Sequence, residues 1–174
     1  MRAVPITVTA LAAALLLTAC SGGDDSGSGG DESKAAGSAC ALGDLGQEIG
    51  PVDAAPTAGD TGNVTVTLTN KGAECTLDGF PAVDLYAGST SSTLRRTAGV
   101  QAQKLTVPEQ GTVSFTITYV RGESGEKSFA AKTVKYVLPG SSKTESFAWS
   151  YGDVALKSEA EPDATVSAFQ QAGD

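Results

Sequence analysis

Two segments of the chain alternate strictly between apolar and hydroxyl-bearing side chains. Residues 64–69 alternate valine or leucine with threonine, and residues 112–119 alternate apolar residues with threonine or serine. A period of two places the apolar positions on one face of a strand. Both segments are therefore predicted to be β-strands with one buried face and one face lined by hydroxyl groups. The apolar positions are Val64, Val66, Leu68, Val113, Phe115, Ile117 and Tyr119.

The first of these strands begins a longer stretch, residues 63–86, around which the fold is predicted to be organised. Asn70-Lys71-Gly72 is a turn signal that ends the strand. A second apolar run, residues 77–86, is predicted to pair back on the first strand. Gly79 and Pro81 within that run indicate a bend or a sheet edge.

Shorter apolar runs between glycine- and proline-rich turns predict further strands. They span 40–49, 93–97, 101–107, 133–138, its hairpin partner 144–151, and 165–169, with loops at 50–62, 87–92 and 122–127. Residues 155–160 fit either a strand or one helical turn. Short strands at this spacing predict an all-β fold, an antiparallel immunoglobulin-like β-sandwich. The aromatic candidates for its core are Phe80, Phe115, Tyr119, Phe147 and Trp149.

The N-terminus carries an apolar run, residues 3–17, behind Arg2. The run is too short for a stable membrane-spanning helix and is typical of a secretory signal peptide. It ends in Leu17-Thr18-Ala19-Cys20, which resembles a bacterial lipobox. In such signals the cysteine receives a diacylglyceryl group and the peptidase cuts before it. We therefore expect a lipoprotein signal peptide over 1–19 and a lipid on Cys20. The alternative is an ordinary signal peptide cut near Ala19.

The segment that follows the cysteine has the composition of a flexible tether. Residues 21–39 contain no aliphatic side chain larger than alanine, so they cannot bury enough apolar surface to fold. The predicted organisation is a lipidated cysteine and tether over 20–39, followed by a globular domain over 40–170. The acidic residues of the tether lack the spacing of a calcium loop and are interpreted as a solvated spacer. They are Asp24, Asp25, Asp31 and Glu32.

Composition argues against several functions. The formal net charge of −8 disfavours a nucleic-acid partner, because phosphate contacts need a basic face. Histidine is absent, and with it the usual general base and a common metal ligand. We therefore predict no catalytic residue, no cofactor and no metal. The alternative is a hydrolase or transferase that uses carboxylates. The available ones are Asp78, Asp84, Glu145 and Asp153, which the sequence does not bring together.

The chain has three cysteines. If Cys20 carries lipid, Cys40 and Cys75 remain as an even pair in an oxidising compartment, which favours a structural disulfide. Two free buried thiols or a redox role are the alternatives. The spacing is not that of a Cys-x-x-Cys redox motif.

One segment carries a resemblance to a known family. Leu68-Thr69-Asn70, followed by Cys75-Thr76-Leu77-Asp78-Gly79-Phe80-Pro81-Ala82-Val83, resembles the actinobacterial secreted and lipoprotein domain of unknown function 4232. In that family a lone cysteine opens the domain, Thr-Asn ends a strand, and a Cys-Thr-Leu-x-Gly-(Tyr/Phe)-Pro segment follows a short turn. The resemblance covers about residues 40–169. It implies that Cys40 and Cys75 are the paired cysteines.

The chain also departs from the pattern of that family. Ala82 stands where a glycine often follows the proline, and the C-terminal half lacks the second cysteine pair that many members carry. The last predicted hairpin must then be held by packing alone. The family brings no known activity, so the resemblance supports the fold and leaves the function open.

The sequence predicts a lipid-anchored protein on the extracellular face of the cell membrane, in the cell envelope. We expect it to display a non-catalytic β-sandwich that binds an envelope protein or a glycan. The alternatives are a small-ligand carrier, an accessory lipoprotein of an envelope assembly, or the carboxylate enzyme. The loops at 87–92, 95–99 and 121–127 are the expected places for a functional surface.

Overall fold

The computed structural model describes residues 37–172. After a single 3₁₀ turn at Leu42–Asp44, the described chain is built from strands. They are β1 (Leu45–Asp53), β2 (Thr61–Asn70), β3 (Cys75–Asp78), β4 (Ala82–Ala87), β5 (Thr90–Thr93), β6 (Arg95–Arg96), β7 (Lys104–Val107), β8 (Thr112–Val120), β9 (Ser128–Phe129), β10 (Thr133–Val137), β11 (Thr144–Ala148), β12 (Val154–Ser158), β13 (Glu161–Pro162), β14 (Ala164–Val166) and β15 (Gln170–Gln171). Within these residues no helix is long and apolar enough to cross a bilayer.

Two larger sheets form the layers of the fold. One has the order β1-β2-β8-β14-β6, with β15 also paired to β8, and the other has the order β11-β10-β4-β5. Their inner faces meet in the core, where the rings of Phe115 and Tyr136 lie edge to face with centroids 5.2 Å apart. All pairings within these two sheets are antiparallel except β6 with β14. The predicted antiparallel β-sandwich is confirmed.

The two alternating segments form the centre of the first sheet. β2 and β8 pair antiparallel along their whole length, from Thr61 opposite Val120 to Thr69 opposite Thr112. Their apolar side chains are buried, as the period of two predicts. On the other face the hydroxyl groups of Thr65 and Thr116 lie 3.2 Å apart, so neighbouring threonines hydrogen-bond across the strands.

The predicted pairing of residues 77–86 back onto the first strand is wrong. The run divides into β3, which pairs with β7, and β4, which pairs with β10 and β5. The break lies at Gly79, whose φ of 110° suits glycine, and Pro81 follows. The bend therefore takes the chain from the two-stranded sheet of β3 and β7 into the sheet β11-β10-β4-β5. The strand that pairs with β2 at that edge is β1.

Several strand boundaries also differ from prediction. The first strand begins at Leu45, after the 3₁₀ turn, and continues to Asp53 through residues predicted as loop. The predicted loop at 87–92 contains most of β5, because a tight turn with Gly88 at φ 62° folds that strand back on β4. Residues 155–160 mostly form strand β12 rather than a helical turn. The hairpin of β10 and β11 is confirmed.

The aromatic core is confirmed in part. Phe115, Tyr119 and Trp149 are buried, and Phe147 is half-buried against the core from the edge strand β11. Phe80 is not a core residue. It sits in the bend between β3 and β4, where its ring is half-buried and lies beneath the Arg96 guanidinium, 4.9 Å from the centroid.

Candidate functional surface

One end of the sandwich, the disulfide end, is where the described chain enters the domain. Cys40 and Cys75 are bonded, as predicted. Residues 38–40 lie along β3, with Cys40 N donating to Thr76 O at 3.0 Å and Thr76 N donating to Ser38 O at 2.9 Å. Residues 38 and 39, which are predicted from the sequence to belong to the tether, therefore pair with β3 and are part of the folded domain. The predicted signal peptide, the predicted lipidation site Cys20 and the part of the predicted tether before residue 37 lie outside the described residues.

A buried asparagine organises the same end. Asn70 ends β2 and is 0% exposed. Its side-chain amide donates to the carbonyls of Ala73, Val107 and Pro108 at 2.8–3.2 Å, and its Oδ1 accepts from Gly72 N at 3.0 Å. One buried side chain therefore links the turn that follows β2 to the segment that follows β7.

The other end of β2 and β8 lies about 30 Å away, at roughly 3.4 Å per residue of strand. We call it the tyrosine end, because the buried Tyr119 ties its loops together. The Tyr119 hydroxyl accepts from Ala55 N at 3.2 Å and donates to Tyr151 O at 2.9 Å. Trp149 packs edge to face on Tyr119, with centroids 4.9 Å apart, and its Nε1 donates to Gly152 O at 2.7 Å.

Replacing Tyr119 by phenylalanine is expected to lower the free energy of unfolding by about 1–2 kcal/mol, because it leaves a buried N–H and a carbonyl without their partner. Urea denaturation of the purified protein measures the change. The matched control is Tyr86→Phe on the half-buried outer face of β4, which is expected to change stability by less than about 0.5 kcal/mol. Equal effects of the two substitutions would contradict the role given to the Tyr119 hydroxyl.

The four carboxylates considered for catalysis lie on separate elements. Asp78 ends β3 and is exposed, Glu145 is exposed on β11, and Asp153 precedes β12. Asp84 lies on β4, separated from β11 by the whole of β10, and accepts a hydrogen bond from the Thr93 hydroxyl. Among residues 37–172 no three or more histidine, cysteine or acidic side chains are grouped so as to hold a metal ion.

Arg95 and Arg96, two adjacent basic residues, lie on an exposed short strand. Arg95 forms an ion pair with Glu161, with Nε and Oε1 2.6 Å apart, and Arg96 covers Phe80. Both residues belong to β6 and are exposed. Each guanidinium therefore has a partner within the described domain.

Three surface clefts are lined in part by charged side chains. The first, on the outer face of the second sheet, contains Asp84 and Lys135, whose Nζ lies 4.2 Å from the centroid of the Tyr86 ring. The other two adjoin the predicted loop at 121–127. One is lined in part by Arg121, Glu123 and Lys127, and the other by Glu126, Lys127 and Glu159. Two of these three clefts therefore adjoin one of the loops expected to carry a functional surface.

A fourth cleft was not predicted from the sequence. It has a volume of about 380 Å³ and lies between residues 100–105 and residues 168–171. Four glutamines line it together with Val100 and Leu105, and no charged side chain lines it. The glutamines are Gln101, Gln103, Gln170 and Gln171. In the sequence the four glutamines occur as two pairs, one in each short segment, and this was the available signal for the cleft. The two pairs are almost 70 positions apart, so only the fold shows that they line the same cleft.

The chain was compared with curated proteins and with models of protein families. No curated protein matches the chain. The model of the family described as domain of unknown function (DUF4232) matches residues 40–170, which include both bonded cysteines, Asn70 and all of β1 to β15 except Gln171. The match covers most of the chain and agrees with the resemblance read from the segment 68–83. The chain therefore belongs to the family of the domain of unknown function DUF4232.

Proposed function

We propose that the protein is a lipid-anchored envelope protein that displays this β-sandwich as a non-catalytic binding domain on the outer face of the cell membrane. The observation that carries the proposal is the use of the three cysteines. Cys40 and Cys75 are bonded to each other, which leaves Cys20 as the remaining thiol, and it stands at the end of the lipobox-like Leu17-Thr18-Ala19-Cys20.

Two further features support the proposal. A structural disulfide suits an oxidising compartment outside the cytoplasm. The chain enters the sandwich at the disulfide end, so a tether from Cys20 would reach the domain there and leave the tyrosine end, about 30 Å away, facing outwards. The domain would then be presented by its loops, including 121–127.

A binding role rather than a catalytic one is supported by the placement of the polar groups. The four carboxylates lie on separate elements, and the clefts described above are open to solvent. Surface clefts of this kind suit recognition of a protein or a glycan better than enclosure of a small apolar ligand. We therefore favour display of a binding surface over carriage of a small molecule.

The anchor is tested by Cys20→Ala in the full-length chain expressed in a bacterial host that processes lipoproteins. We expect loss of metabolic labelling by a fatty-acid analogue, and accumulation of an uncleaved precursor or release into the medium. Ser21→Ala is the matched control and should retain the label. Labelling of the Cys20→Ala chain at the wild-type level would refute the anchor.

The binding role is tested by crosslinking on intact cells followed by identification of the neighbours of the protein. We expect a defined envelope protein or glycan to be recovered with the wild-type chain in repeated experiments and across salt concentrations. Recovery of no neighbour above the background of an unrelated lipoprotein would count against a binding role.

A further inference from the structure

The glutamine-lined cleft differs from the other three clefts in its chemistry. It lacks a charged lining residue in a chain whose net charge is −8, and it includes Val100, which is 37% exposed. Among the described residues, Val100 and Val52 are the exposed large hydrophobic side chains. A carboxamide offers two N–H donors and one acceptor oxygen without a charge. The cleft is therefore suited to an uncharged ligand that both donates and accepts hydrogen bonds.

The strand β7 presents a free backbone edge at this cleft. Thr76 directs its N–H and C=O towards residues 38–40, so its neighbours Cys75 and Leu77 must direct theirs towards β7. Their partners on β7 are Val107 and Leu105. Successive residues of a strand direct their N–H and C=O groups to opposite sides, so those of Lys104 and Thr106 point away from β3. Among the described residues β7 has no other strand partner.

The strand β15 presents a second free edge. Ala172 N donates to Thr112 O, so Gln170 and Ala172 face β8, and the N–H and C=O of Gln171 face away from it. β15 pairs with β8 alone within residues 37–172. The two edges approach each other at the cleft, because Gln171 Nε2 donates to Thr106 O at 3.4 Å.

We propose that this cleft binds an extended, uncharged polypeptide segment of a partner protein, whose backbone pairs with the free edges of β7 and β15. The proposal rests on the non-catalytic binding role and names its ligand. Addition of a strand to an exposed edge takes its affinity from main-chain hydrogen bonds and its specificity from the side chains around it. The volume of about 380 Å³ suits a short segment.

A peptide fits these observations better than a glycan does. A sugar ring is usually held against the exposed face of an aromatic side chain, and Phe169, the aromatic residue that lines the cleft, is buried against Phe115. The backbone groups of two strand edges that have no strand partner within residues 37–172 are matched by the alternating donors and acceptors of an extended peptide, which would replace the Gln171 side chain at Thr106 O. A charged segment would lose solvation in the cleft without gaining an ionic partner.

The test begins with a phage-displayed library of random dodecapeptides, panned against the full-length chain in detergent. We expect enriched peptides with an uncharged, strand-like core, and we expect Gln103→Glu to weaken the best of them about tenfold or more, because it places a charge in the cleft. Gln47→Glu, on the exposed part of β1 away from the cleft, is the matched control and should leave affinity unchanged. Both positions are exposed, so neither substitution should unfold the domain.

The backbone pairing is tested separately from the side chains. Gln171→Pro removes the N–H that faces the cleft, whereas Gln171→Ala keeps it; both lose the carboxamide, so the proline variant should bind about tenfold more weakly than the alanine variant. Peptides N-methylated at alternate residues should lose affinity to the same degree on the wild-type chain, which tests the pairing without altering the protein.

The proposal is overturned if no peptide is enriched, or if neither the proline variant nor N-methylation weakens binding. It is also overturned if oligomers of N-acetylglucosamine, rather than peptides, shift the NMR signals of the cleft residues. These measurements use purified protein, so they do not depend on the lipid anchor. A failed Cys20 test with intact peptide binding would refute the anchor alone.

Discussion

Replacing both Cys40 and Cys75 by alanine is expected to lower the free energy of unfolding by about 4 kcal/mol. The two residues are 35 positions apart, and closing a loop of that length restricts the unfolded chain by about this amount in the loop-entropy model. Both cysteines are also buried at the disulfide end, so their removal leaves space there. Chemical denaturation of the double variant and the wild-type protein, under the same conditions, measures the difference.

The loss should also have a local signature. Residues 38–40 are held on β3 by backbone hydrogen bonds, and without the covalent link to Cys75 their amides should exchange with solvent much faster than those of β2. Treatment of the wild-type protein with a reducing agent in denaturant should reproduce the loss of stability. A change of less than about 1 kcal/mol, with unaltered exchange at Cys40, would contradict the role given to the disulfide.

Replacing Asn70 by alanine is expected to lower the free energy of unfolding by about 2–3 kcal/mol. The substitution removes the donor to the carbonyls of Ala73, Val107 and Pro108 and the acceptor for Gly72 N. Each buried polar group left without a partner costs about 1–3 kcal/mol. Asn70→Asp should be at least as damaging, because a carboxylate cannot donate to three carbonyl oxygens and is buried with its charge.

Asn63 provides the matched control for Asn70 on the same strand. Its Oδ1 accepts one hydrogen bond, from the Thr118 hydroxyl, on the half-buried outer face of β2. Asn63→Ala is therefore expected to cost less than about 1 kcal/mol. If thermal and urea denaturation gave the same loss for Asn63→Ala and Asn70→Ala, the buried amide would not be the organiser of the disulfide end.

The sequence predicted strands correctly where alternate side chains are apolar and one face of the strand is buried. β2 and β8 follow the alternation of apolar and hydroxyl residues almost residue by residue, because one face of each is buried and the other carries the threonines. Pro139 and Gly140, at φ 73°, mark the turn of the β10–β11 hairpin, which was predicted correctly. The disulfide followed from the number of cysteines and from the resemblance.

The sequence was less informative where pairing depends on distant residues. The partner of residues 75–78 is β7, almost 30 positions away, and no local signal distinguishes it from β2. The two-residue strands β6 and β9 are too short to have a period, and their pairing depends on β14 and β12. Phe80 was misplaced in the core because an aromatic ring in a bend can be covered by a guanidinium from a neighbouring strand.

The candidate surfaces show the same limit. The loop at 121–127 was recognised from its composition, and two clefts adjoin it. The glutamine-lined cleft was missed, because its two halves are far apart in the sequence and its backbone edges are defined only by the register of β7 and β15. In the sequence Asn70 forms part of a turn signal, and only the folded chain brings together the carbonyl groups that surround its buried side chain.

The mass of the intact mature protein, extracted from membranes in detergent, tests the proposed anchor most directly. We predict a chain that begins at Cys20 and is heavier than the polypeptide of residues 20–174 by the mass of a diacylglyceryl group, with or without a further acyl chain. Fragmentation should place the added mass on Cys20, and the mass should include a bond between Cys40 and Cys75. A mature chain that begins elsewhere, or one with an unmodified Cys20, would contradict the account.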